Sequence, residues 1–131
     1  MFGSKKPTVG AIESLIGAGT VVEGHLRFKG GLRIDGEVLG SVTAVDGSAA
    51  SLVVSEQGRV QGPVQASHVV VNGTIEGPVH ADDSLEVQPK ARITGNVRYR
   101  SLEMHAGALI DGTLSPLESE RPTLKLAVNK D

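Results

Sequence analysis

The sequence predicts an all-β, single-domain β-solenoid of about six coils, in which short strands wind around one aliphatic core. The main observation is a seven-residue phrase with the order small, any, aliphatic, any, Gly, any, aliphatic. The phrase occurs six times, around Gly24, Gly40, Gly62, Gly77, Gly95 and Gly112. These glycines are 16, 22, 15, 18 and 17 residues apart. A β-type pattern repeated at such a period is typical of a solenoid.

The aliphatic positions of this phrase predict two columns of inward-facing side chains. Successive residues of a strand point to opposite faces, so equivalent positions in successive coils should stack. One column is Val22, Val38, Val60, Ile75, Ile93 and Ile110. The other is Leu26, Val42, Val64, Val79, Val97 and Leu114. Coils about 4.8 Å apart would make a rod roughly 30 Å long.

A shorter phrase, aliphatic, any, aliphatic, lies between the long ones and predicts a further strand in each coil. It occurs at residues 32–34, 52–54, 69–71, 85–87 and 102–104. The step from its end to the next small residue is two or four positions, and an even step preserves the alternation between inside and outside. The connection that precedes it varies in length. Its longest example contains residues 46–51, which are small and polar and predict an external loop.

The repeat is confined to residues 15–115, which we expect to form the whole solenoid domain. Residues 1–14 carry Pro7 and Gly10, and residues 116–131 carry Pro116 and Pro122, without the repeat pattern. Both segments are expected to be flexible tails.

Composition excludes several classes of function. The net charge is −2, which does not favour binding to nucleic acid. The chain has no cysteine, and therefore no disulfide framework or thiolate metal site. Its aromatic residues are Phe2, Phe28 and Tyr99, too few for a platform on which bases or sugars stack.

No catalytic, cofactor-binding or metal-binding residue is predicted. His25, His68, His80 and His105 sit at different distances from their repeat glycines, so no two should share a column. The carboxylates look scattered, and the adjacent Asp82 and Asp83 are interpreted as a solvated turn. The six-residue period of hexapeptide acyltransferases is also missing: Ile93 is followed six positions later by Tyr99.

The run from Ile16 to Gly40, which reads IGAGTVVEGHLRFKGGLRIDGEVLG, resembles the opening of a bactofilin, and the later phrases of the form GxVxGxV are similar to the same family. The resemblance covers about residues 14–115. It implies a bacterial cytoskeletal protein with a right-handed β-helix. It also implies end-to-end polymerisation without nucleotide into non-polar filaments, and attachment to the inner face of the cytoplasmic membrane. Such scaffolds organise cell shape or cell-wall synthesis, so proteins of cell-wall synthesis or hydrolysis are expected partners.

The physics of the rod ends leads to the same expectation of self-assembly. We see no capping helix at either end, and an uncovered terminal coil offers unpaired backbone groups and apolar side chains to another chain. The expected contacts of the first coil are Leu15, Ile16, Val21, Val22, Leu26 and Phe28. Those of the last coil are Leu102, Met104, Leu109, Ile110 and Leu114.

The N-terminal residues Met1, Phe2, Lys5 and Lys6 combine an apolar tip with two cations and are the expected membrane contact.

Two alternatives to the cytoskeletal scaffold stay open from sequence. One is a β-helical enzyme, either acyltransferase-like or active on polysaccharides. The other is a monomeric binding module that recruits partners through its tails.

Overall fold

The structure, a computed structural model, describes residues 12–45 and 49–117. Within these ranges it contains β-strands and no helix. The strands are, in chain order, β1 Ile12–Ile16, β2 Val21–Glu23, β3 Leu26–Phe28, β4 Gly31–Ile34, β5 Glu37–Leu39, β6 Val42–Ala44, β7 Ser51–Val54, β8 Arg59–Gln61, β9 Val64–Val71, β10 Thr74–Glu76, β11 Val79–Val87, β12 Arg92–Thr94, β13 Val97–Met104, β14 Leu109–Asp111 and β15 Leu114–Pro116.

The strands form a parallel β-solenoid with three faces. Face 1 contains β1, β4 and β7, followed by residues 68–71, 84–87 and 101–104 of the three long strands. Face 2 is the six-stranded sheet of β2, β5, β8, β10, β12 and β14, which gives six coils. Face 3 contains β3 and β6, then residues 64–66, 79–81 and 97–99, and last β15. The predicted fold class is confirmed.

Strand register confirms both predicted columns. On face 2, Val22 pairs with Val38, and the ladder continues position by position to Ile110. On face 3, Leu26 pairs with Val42, and that ladder reaches Leu114 in the same way. The aliphatic positions of the short phrase stack on face 1 as two further columns, which end at Leu102 and Met104.

The long strands β9, β11 and β13 run continuously from face 3 to face 1. Strand β11 carries one residue more than its neighbours there: Asp82 and Asp83 lie opposite the single residues Ser67 and Arg100. This is a β-bulge, which lets a strand absorb an extra residue. The interpretation of Asp82 and Asp83 as a turn is therefore wrong, because the corner is made within a bulged strand.

The structure differs from the sequence expectations at two other places. Strand β1 begins at Ile12, before the predicted start of the solenoid at residue 15, because Ile12 pairs with Gly31 of β4. The predicted loop at residues 46–51 falls partly outside the described residues. Its last two residues, Ala50 and Ser51, are buried, and Ser51 is the first residue of β7.

The core contains one aromatic side chain among many aliphatic ones. Mid-rod residues such as Val38, Val60 and Ile75 are 0% exposed. Phe28 is buried because its ladder partner is the small Ala44, which leaves room for the ring. Each fully buried valine or isoleucine stabilises the fold by about 1.5–3 kcal/mol, so the aliphatic columns suffice without an aromatic core.

We predict that Ile75→Asp abolishes the fold. Ile75 is 0% exposed and lies between the buried Val60 and Ile93 in the column of face 2. An unpaired carboxylate there costs several kcal/mol, comparable with the whole stability of a typical domain. Circular dichroism should show loss of the β-sheet signal at room temperature.

The matched control is Thr74→Asp, which places the same group one position earlier on the same strand. Thr74 alternates to the outer side, and its ladder partners are Arg59 and Arg92. The free energy of unfolding of the Thr74→Asp variant should differ from that of the parent protein by no more than about 0.5 kcal/mol. Equal losses of structure in the two variants would contradict the inward and outward assignment.

Candidate functional site

The N-terminal end of the rod exposes the edges of β1, β2 and β3. Each of these strands has a described partner on one side alone, namely β4, β5 and β6. Among the predicted contact residues, Leu15 is 60% exposed and Val21 is 52% exposed. Val22 and Leu26 are half-buried, and Ile16 and Phe28 are buried.

The C-terminal end exposes residues 101–104 of β13, together with β14 and β15. Met104 is 44% exposed and Leu114 is 43% exposed, whereas their column neighbours Val87 and Val97 are 0% exposed. Leu109 is 58% exposed, and Leu102 and Ile110 are half-buried. The core columns therefore reach this end uncovered by any described residue.

The predicted contact residues are of two kinds. Residues of the first kind point inward and begin or end a core column, namely Ile16, Val22, Leu26, Phe28, Leu102, Met104, Ile110 and Leu114. Leu15, Val21 and Leu109 instead occupy outward positions, next to Arg33, Glu37 and Arg92 respectively. The column ends face along the rod, and the outward residues lie at the rim of each end. A partner stacked on the end would cover the first kind completely.

The repeat glycines form a ladder of close backbone contacts. Gly62 has a φ of +152°, and a Cβ built there would lie 2.2 Å from the carbonyl oxygen of Gly40 in the preceding coil. The corresponding Cβ at Gly24, whose φ is +118°, meets nothing within 4 Å. The missing side chain is therefore what lets coils approach, and at Gly24 the same space is open toward the N-terminal end.

One corner between faces 1 and 2 carries a perturbed carboxylate. The pKa of Asp35 is lowered, chiefly by a hydrogen bond from the Ser55 side chain and then by Arg33, whose Nε donates to Asp35 Oδ1 at 2.8 Å. A lowered pKa favours the ionised form in the fold. This stabilisation is present above the ordinary pKa of an aspartate and is lost as the pH falls through the lowered value.

A serine, a histidine and an aspartate meet at another corner, but not as a catalytic triad. His68 Nδ1 lies 2.8 Å from Ser84 Oγ. His68 Nε2 is 3.9 Å from Asp83 Oδ2, beyond hydrogen-bond range. A triad aspartate must hold the imidazole in one tautomer through a direct hydrogen bond. The geometry does not support nucleophilic catalysis by Ser84.

As expected, no histidine is the ladder partner of another histidine, but two of the carboxylates are ladder partners. Glu86 and Glu103 are direct ladder partners on face 1, and His105 lies against both. The expectation of scattered carboxylates is wrong for this pair. Their pairing could have been predicted from the sequence, because Glu86 and Glu103 are each the middle residue of consecutive short phrases, residues 85–87 and 102–104.

The predicted membrane contacts Met1, Phe2, Lys5 and Lys6 lie outside the described residues. Across residues 12–45 and 49–117, no helix has the length and apolar character needed to cross a membrane.

Comparison with known proteins adds the family context. A family model described as "Bactofilin: Polymer-forming cytoskeletal" matches residues 14–115. The chain is 25% identical over 108 residues to "Bactofilin BacO" of Myxococcus xanthus (strain DK1622), a match covering 82% of each chain. It is also 25% identical over 118 residues to "Bactofilin BacP" of the same strain, covering 85% of this chain and 48% of BacP. The matched part thus spans about half the length of BacP. No solved structure matches the chain significantly.

The glycine ladder yields a paired prediction. Gly62→Ala should lower the free energy of unfolding by about 1–3 kcal/mol more than Gly24→Ala, because the new methyl group at position 62 overpacks a backbone contact. Both glycines have a positive φ, so backbone strain contributes to the loss in each variant, and the clash with the preceding coil is present at position 62 alone of the two. Chemical denaturation of the two variants measures it. Equal destabilisation would show that backbone strain alone, and not coil stacking, selects glycine.

Proposed function

Because this chain belongs to the bactofilin family of polymer-forming cytoskeletal proteins, we propose that it assembles end to end into homopolymeric filaments through its terminal coils, without a nucleotide. The observation that carries this proposal is that the core columns end exposed at the C-terminal coil, at Met104 and Leu114, while the same columns are 0–1% exposed in the middle of the rod. The first coil offers the half-buried Val22 and Leu26 in the same manner.

Stacking a second copy on an end supplies what the terminal coil lacks. Covering a column end removes apolar surface from water, worth about 25 cal/mol for each Å² buried. The edge strands, which have a described partner on one side, would also gain backbone hydrogen bonds, as sheet edges do when they meet another chain. Neither contribution needs a cofactor or a nucleotide.

The charges at the rim favour junctions between like ends. If the solenoid continued from the C-terminal end of one copy to the N-terminal end of the next, Asp111 would meet Glu23, because both occupy the same column of face 2. Like charges directly opposite in a ladder destabilise it by roughly 0.2–1 kcal/mol. A two-fold junction between like ends does not require this pairing and gives a filament without polarity.

We predict that charged residues at the column ends interrupt assembly one junction at a time. Leu114→Asp should leave dimers joined at their N-terminal ends, and Val22→Asp dimers joined at their C-terminal ends. The double variant should be a monomer. The new carboxylate would be fully buried only when a partner covers it, so the β-sheet signal should persist. Sedimentation velocity measures the species, with Thr74→Asp as the matched control that still polymerises.

Two outcomes would contradict parts of this scheme. If both single variants are monomeric, each junction joins unlike ends, and the filament is polar. If both single variants and the double variant still form long filaments, the polymer contact lies elsewhere, for example at the rim residues Leu15, Val21 and Leu109 or along the rod.

We further propose that the filament serves as a scaffold at the inner face of the cell membrane, organising cell shape or cell-wall synthesis with proteins of that process. The N-terminal residues carry the membrane part. Burial of Met1 and Phe2 and attraction of Lys5 and Lys6 to anionic lipid are weak in one copy, but a filament presents many copies and binds with avidity.

Removal of residues 1–6 should release filaments from anionic liposomes without preventing assembly. Co-sedimentation of full-length and shortened protein with liposomes measures this, corrected for filaments that pellet alone. Replacing Lys5 and Lys6 by Gln should give partial loss that mimics added salt, because salt screens the lysines over about 8 Å at physiological ionic strength and leaves the Phe2 contribution intact. Equal pelleting of full-length and shortened protein would contradict the proposal that residues 1–6 bind the membrane.

A further inference from the structure

Three side chains that carry metal-binding atoms converge on the outer surface of face 1, near the C-terminal end. Glu86 is on β11, its ladder partner Glu103 is on β13, and His105 follows β13 directly. His105 Nε2 lies 3.2 Å from an oxygen of Glu86 and 3.2 Å from an oxygen of Glu103. The one ligand atom that each residue offers lies within 4.8 Å of the other two.

These separations are compatible with coordination of one shared ion, as well as with a long hydrogen bond from the imidazole. A charge-assisted N–H···O hydrogen bond is about 2.7–2.9 Å long, shorter than either contact of His105. Nitrogen and oxygen ligands lie about 2.0–2.2 Å from zinc. Two such ligands are then separated by roughly 3.0 Å at a right angle and roughly 3.4 Å at a tetrahedral angle. The observed 3.2 Å lies between these values.

Hydrogen bonds hold the backbone of His105 and the carboxylate of Glu86 in place. The backbone N–H of His105 donates to the carbonyl of Val87, and the N–H of Ala108 donates back to the His105 carbonyl. Gln88 Nε2 donates to an oxygen of Glu86 at 3.1 Å. Hydrogen bonds of this kind orient carboxylate ligands around metals. The Glu103 side chain is 68% exposed and can rotate toward an ion.

The local charge also favours a cation. Like charges directly opposite in a ladder repel one another, and Glu86 and Glu103 are such a pair. Among the described residues, the ion pairs of these two carboxylates are with His105 alone. A histidine carries at most one positive charge, which cannot balance the two negative charges of Glu86 and Glu103. A divalent ion balances both.

We propose that Glu86, Glu103 and His105 bind a divalent transition-metal ion, with Zn²⁺ as the representative, and leave its other coordination positions to water. Imidazole with two carboxylates suits zinc and its neighbours in the first transition row, whereas Ca²⁺ and Mg²⁺ prefer oxygen ligands alone. The ion would tie residues 101–104, the exposed edge of face 1, to the coil beneath. Binding to the folded chain alone would raise its thermal stability.

The test is equilibrium dialysis of the full-length protein against ZnCl₂, with the bound metal measured by mass spectrometry, a readout that filaments do not disturb. We expect one ion per chain, no displacement by excess Ca²⁺, and a rise in melting temperature with ZnCl₂. His105→Ala and Glu103→Gln should each weaken binding at least tenfold.

The matched control is His80→Ala. His80 Nε2 lies 3.1 Å from one carboxylate, that of Asp82, so this variant removes a histidine–carboxylate pair without touching the cluster of three. It should bind zinc as the parent protein does. Glu86→Gln keeps the shape of the side chain and a polar group at position 86, so this variant should remain folded. Circular dichroism checks the fold of this and the other variants. Absence of stoichiometric binding at about 100 µM zinc, or equal losses in His105→Ala and His80→Ala, would overturn the proposal.

Discussion

The structure depends on one constraint: a single coil of this chain cannot bury its own aliphatic side chains. Each coil supplies a few valines, leucines and isoleucines, and these leave water only when coils lie on both sides. The same column position is 0% exposed at Val87 and 44% exposed at Met104 because the described part of the chain offers no further coil there. Fold stability and the tendency to assemble therefore come from the same interaction.

Close stacking requires small backbone positions as well as aliphatic ones. A Cβ at Gly40, Gly62 or Gly112 would lie about 2 Å from a carbonyl oxygen of the preceding coil, a separation that no packed side chain tolerates. The glycine ladder thus permits the spacing that hydrogen bonding between strands sets, and the aliphatic columns fill the interior at that distance. This pairing explains how a chain with three aromatic residues in 131 has a buried core made mostly of aliphatic side chains.

Sequence predicted the columns residue by residue, because alternation along a strand and an even step between phrases leave one register that turns the aliphatic positions of both phrases inward. It did not predict what happens at corners. The extra residue at Asp82 and Asp83 is absorbed as a bulge inside β11, and no local residue pattern distinguishes that from a turn. The start of strand β1 was not predicted because Glu13 and Ser14 interrupt the aliphatic pattern, although Ile12 and Ser14 pair with Gly31 and Leu32 of β4. The cluster of Glu86, Glu103 and His105 was not predicted, because His105 follows the end of β13 and the repeat pattern does not show which way its side chain turns.

Electron cryo-microscopy of filaments grown from the purified full-length protein without nucleotide tests the central claim most directly. If uncovered core columns drive assembly, coils should continue through every junction with the spacing of about 4.8 Å found between hydrogen-bonded strands. The ends of the columns, Val22 and Leu26 on one side and Met104 and Leu114 on the other, should then be buried at the junctions. Filaments in which rods lie side by side with their terminal coils in solvent would contradict the account.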